Sequence, residues 1–70
     1  MPSDVSLRDL RRVLEEIGYT LDRVKGSHHH FRGPNLPPIG FPVHHGKVKA
    51  VYARQIERII KGLRASGEGR

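Results

Sequence analysis

The 70-residue sequence contains no cysteine, which excludes disulfide staples and any thiolate metal site and fits a reducing compartment. It has no stretch near the ~18 consecutive apolar residues that a membrane-spanning helix needs. Met1-Pro2-Ser3-Asp4 lacks the basic and apolar regions of a signal peptide. The expectation is a soluble cytoplasmic protein with no membrane attachment. Acidic residues are scarce: 7 Asp and Glu face 13 Lys and Arg, for a net charge of +6. That balance suits a partner rich in phosphate. A chain this short builds one core, with roughly 3–5 kcal/mol of net stability in the absence of staples. The expected organisation is a single domain over 1–65 followed by a flexible tail over 66–70.

The basic charge is unevenly placed. Between Leu7 and Ile17, Arg11 and Arg12 stand four residues before Glu15 and Glu16, so a helix there largely neutralises itself. Further on, Lys47, Lys49, Arg54, Arg58, Lys61 and Arg64 are opposed only by Glu57. Arg54, Arg58 and Lys61 recur at helical spacing, as a nucleic-acid contact or simply a solvated face would.

Leu7, Leu10, Leu14 and Ile17 recur at steps of three and four, Ser6 and Asp9 suit a helix start, and Gly18 a left-handed stop. This predicts a first helix over Leu7–Ile17. Tyr19–Lys25 and His28–Arg32 read as strands joined by a Gly26-Ser27 turn, and Gly33-Pro34-Asn35-Leu36-Pro37-Pro38 as a loop. Ile39–His44 alternates apolar and small or polar residues, with Pro42 favouring an edge strand. Tyr52, Ile56, Ile59, Ile60 and Leu63 give a second helix its apolar stripe. The order predicts an α+β fold, α-β-β-β-α, with a three-stranded antiparallel sheet carrying both helices on one face.

Its other face meets solvent or a ligand, and the histidines matter there. An imidazole takes and returns protons near neutral pH without a cofactor. Side chains alternate along a strand, so Phe31 takes His29 to the core side while His28, His30 and Arg32 share the open side. The third strand sends Ile39, Phe41 and Val43 inward and His44 outward. A bulge at Gly26-Ser27 would exchange His28 and His29.

Gly26-Ser27-His28 followed by Phe31, preceded by Gly18-Tyr19 and Asp22-Arg23-Val24-Lys25, and followed by Pro42-Val43-His44 and a basic helix, resembles the HicA (YcfA-like) toxins of bacterial toxin–antitoxin modules. The resemblance runs from about Leu7 to Leu63. It implies a fold like double-stranded-RNA-binding domains, cleavage of mRNA, and neutralisation by a HicB-like antitoxin, expected to be acidic. It also implies a catalytic histidine after the Gly-Ser pair, which is His28, or His29 where that histidine stands one position later. No cofactor or small-molecule ligand is implied.

Ribonuclease chemistry needs a base for the 2′-hydroxyl proton, donors for charge on the phosphorane and an acid for the leaving 5′-oxygen. An exposed histidine suits the base, Lys25 or Arg32 the phosphate, and His30 or His44 the acid. Gly26 and Ser27 offer a turn and a phosphate-contacting hydroxyl, and Arg54 and Arg58 further RNA contacts. Two other classes compete. One is a non-catalytic RNA-binding module of the same fold. The other is a metal site, disfavoured because consecutive strand histidines point to alternate faces.

Overall fold

The computed structural model describes residues 4–67, and its elements follow the order β1 (Val5–Ser6), α1 (Leu7–Ile17), β2 (Thr20–Lys25), β3 (His28–Arg32), β4 (Ile39–Pro42), β5 (Lys47–Val48) and α2 (Ala50–Gly67). Strands β2, β3 and β4 form an antiparallel sheet in that order. Leu10 and Leu14 of α1 and Ile56 and Ile60 of α2 are buried in one cluster with Phe31, Ile39 and Phe41 of the sheet. Both helices therefore cover the same sheet face, in the expected α-β-β-β-α arrangement.

Helix α1 has the expected bounds but not the expected start. Ser6 is extended and its side chain makes no capping hydrogen bond. It belongs to β1, and the Leu7 amide donates instead to the Gly46 carbonyl at 2.9 Å. Gly18, at φ 124°, ends the helix: its amide donates to Leu14 and Glu15, and that of Tyr19 to Leu14 at 3.0 Å. Arg11 pairs with Glu15 at 2.9 Å on the exposed side, as the four-residue spacing allows.

Two short strands add to the expected fold. β1 and β5 pair antiparallel, Val5 opposite Val48 and Ser6 opposite Lys47, clasping the start of α1 to the approach to α2. A tight turn at His45-Gly46, both at positive φ, feeds β5 and is closed by paired backbone bonds between His44 and Lys47. The third strand is shorter than expected, ending at Pro42, although Val43 is still buried and its amide donates to the Ser27 carbonyl at 2.7 Å.

The core holds Tyr19, Phe31, Phe41, Leu14 and Val48 with almost no exposure, and the rings of Phe31 and Phe41 stack at 5.5 Å. The Tyr19 hydroxyl donates to the Pro37 carbonyl at 2.7 Å, fastening the long β3–β4 loop. Within α2, Ile56 and Ile60 are buried and Tyr52 and Leu63 pack beside them. Ile59, expected in the same stripe, is 36% exposed because it falls on the stripe's outer edge. The tail expected over 66–70 gives its first two residues to α2, and residues 68–70 lie outside the described part.

Candidate functional site

The uncovered face of the sheet is built from paired rungs. Lys25, His28 and Pro42 form one, and Arg23, His30 and Gly40 the next. No bulge occurs at Gly26-Ser27: the Gly26 φ of 62° turns the chain tightly, as glycine readily does, and Lys25 pairs directly with His28. Alternation in β3 thus keeps the phase read from Phe31. His28 is exposed, Phe31 is fully buried and Arg32 is exposed.

The rings of His28 and His30 are stacked, with centroids 6.4 Å apart and planes at 23°. Residues two apart on a strand stand about 6.6 Å apart on one face, so this spacing follows from the strand itself. Gly40 lets the second ring lie down. A Cβ at Gly40 would stand 2.9 Å from His30 Nδ1 and 3.3 Å from its Cε1, so the imidazole covers the place where a side chain would be.

His29 is on the other side. It pairs with Val24 and Phe41, is half-buried, and its buried Nδ1 has no hydrogen-bond partner among the described residues. Val24, opposite it, is 50% exposed. The helices therefore leave the inner face incompletely covered at the hairpin end.

A register shift lies in β2, between Leu21 and Arg23. A bulge places two neighbouring residues opposite one and re-aims side chains. Asp22 and Arg23 both line a concavity of about 460 Å³ together with His30, Arg32, Ile39 and Gly40. Asp22 and Arg23 enter the sequence reading only as part of the family-like stretch, and neither they nor Gly40 are among its candidate site residues. The signal was present: Leu21 and Val24 are an odd number apart, which a regular strand cannot place on one face.

The other expected site residues divide into two groups. Lys25, Gly26, Ser27 and His44 gather near the hairpin end, where Ser27 is half-buried and His44 is exposed. Arg54 and Arg58 are exposed on α2, which packs against the opposite sheet face, so they do not join the histidines. An apolar groove between α1 and α2, lined by Val5, Leu10, Val13, Ala53 and Ile60 and rimmed by Arg54, is also remote from them. Among the described residues no three His, Asp or Glu side chains converge as a metal-ligand set, and no helix is long and apolar enough to cross a membrane.

A family model described as the HicA toxin of bacterial toxin–antitoxin systems matches residues 7–66 of the chain. No match is found among curated proteins or among solved structures.

Proposed function

Because the chain belongs to the HicA toxin family of bacterial toxin–antitoxin systems, we propose that it is a metal-independent endoribonuclease in which His28 is the general base. Membership makes it a toxin of the mRNA-interferase kind, with RNA as substrate and an antitoxin as partner. The finer reading is carried by one observation, the exposed His28 imidazole stacked 6.4 Å from His30 on the uncovered sheet face.

In this reading mRNA lies across that face. His28 takes the proton of a ribose 2′-hydroxyl, and the freed oxygen attacks the adjacent phosphorus. The 5′-oxygen leaves with a proton from His30, giving a 2′,3′-cyclic phosphate and a 5′-hydroxyl end. His30 is preferred to His44 as the acid because of its place beside His28. Lys25, the rung partner of His28, and Arg32 offset charge on the phosphorane. Gly26 and Ser27 admit the backbone closely, and His44 flanks them. Arg54 and Arg58 contact only RNA long enough to pass around the domain.

The antitoxin in this reading is an acidic HicB-like protein that covers the histidine face, since complementary charge steers association. The test is to assay purified protein on RNA in excess EDTA and map the ends. Cyclic phosphate and 5′-hydroxyl ends are expected. A requirement for divalent metal, or 3′-hydroxyl products, would overturn the mechanism, and RNA bound but never cut would favour the non-catalytic module.

A further inference from the structure

The concavity beside His30 has a composition unlike a bare phosphate cradle. Arg23 and Arg32 supply guanidinium donors, the His30 ring lies across Gly40, and Asp22 adds a carboxylate brought there by the bulge in β2. None of Asp22, Arg23 and Arg32 is held in an ion pair among the described residues, where the pair formed is Arg11–Glu15. A carboxylate repels phosphate, so its presence calls for a ligand edge that donates hydrogen bonds. Unstacked RNA bases are read in this manner, by an aromatic plane and by bonds to their Watson–Crick edge.

We propose that this concavity is a base-reading subsite for the nucleotide on the 3′ side of the cleaved bond, and that Asp22 selects guanine there. The placement rests on the ribonuclease reading. With the 2′-hydroxyl at His28 and the leaving 5′-oxygen at His30, the leaving nucleotide continues past His30, toward Arg23 and Arg32 and away from the hairpin turn. Guanine follows from the acceptor. Its N1–H and N2–H₂ groups stand side by side and match the two oxygens of one carboxylate. Adenine and cytosine present an acceptor nitrogen beside their amino group, and uracil offers one N–H between two carbonyls. The His30 ring, lying over Gly40, floors the subsite, and Arg23 is free to hold a flanking phosphate while Arg32 serves the phosphorane.

The test uses single-stranded oligonucleotides that differ only in the base 3′ to one scissile phosphate. Wild-type protein should cut before guanine about tenfold or more faster than before the other bases, the low end of what a bidentate pair discriminates. Asp22→Asn should reduce that advantage to within about twofold. Equal rates before all four bases, or a guanine advantage that survives Asp22→Asn, overturns the proposal. Binding of the same oligonucleotides to His28→Ala protein separates this from the nuclease reading. A guanine preference in binding that Asp22→Asn removes supports the subsite even where wild type proves not to cut. Cutting with no base preference in either assay leaves the nuclease standing and removes the subsite.

Discussion

Gly40 and His30 occupy one another's space: the histidine ring lies where a side chain on residue 40 would begin, 2.9 Å from Nδ1 to that position. Gly40→Ala should therefore displace the ring from its stack on His28 without unfolding the sheet. Cleavage should fall by about ten- to a hundredfold, the range for small misplacement of a catalytic group, with melting temperature little changed. In a His30→Ala background the same substitution should add almost nothing. Equal losses in both backgrounds would mean that Gly40 acts on something other than His30.

His28→Ala should abolish cleavage and toxicity while RNA binding persists, and stability should change by less than about 0.5 kcal/mol, as for other exposed positions. His29→Ala should cost about 1–2 kcal/mol, since its ring is half-buried beside Phe41, with cleavage retained in the folded fraction. Thermal melts and a cleavage assay on both variants decide between them; the reverse pattern assigns the chemistry to His29.

Lys25→Ala should lower the salt dependence of binding to a short oligonucleotide by about one unit of log–log slope. Arg54→Ala with Arg58→Ala should leave the short oligonucleotide's slope unchanged and reduce it only for longer RNA, because α2 lies across the sheet from the histidines. Titrations at several salt concentrations measure both. A loss for the short oligonucleotide in the helix variant would move the RNA path onto α2.

Burial raises the Tyr19 phenol above its ordinary pKa, near ~10. A group raised by folding contributes stability that is complete below its unfolded pKa and is lost as pH climbs through the folded one. Melting temperature should thus fall at strongly alkaline pH. Tyr19→Phe should cost about 1 kcal/mol at neutral pH, through the lost bond to the Pro37 carbonyl, and should flatten part of that alkaline decline. An unaltered alkaline decline in the variant would assign it to other groups.

Much of this arrangement was legible in the chain. Leu7, Leu10, Leu14 and Ile17 mark α1 because a helix repeats every 3.6 residues, and Phe31 fixes the histidine phase because strand alternation is rigid. The β1–β5 pairing was not legible, since two residues carry no periodicity and the partners are far apart in sequence. The faces of Asp22 and Arg23 depend on the register against β3, a property of two strands together. The Gly40–His30 contact likewise crosses a strand pair, and a lone glycine in Ile39-Gly40-Phe41 reads only as a small residue.

The pairing of Val5 with Val48 also bears on timing. Strands β2, β3 and β4 meet through short connections, whereas the β1–β5 clasp closes a loop of more than forty residues, and closure entropy grows with loop length. Closure cost of this kind favours near neighbours, so the expected order is pairing of β2, β3 and β4 first and then the clasp between α1 and the approach to α2. The clasp is thus a costlier closure than either hairpin turn, and with it α2 is tied over the back of the strand that bears His28 and His30.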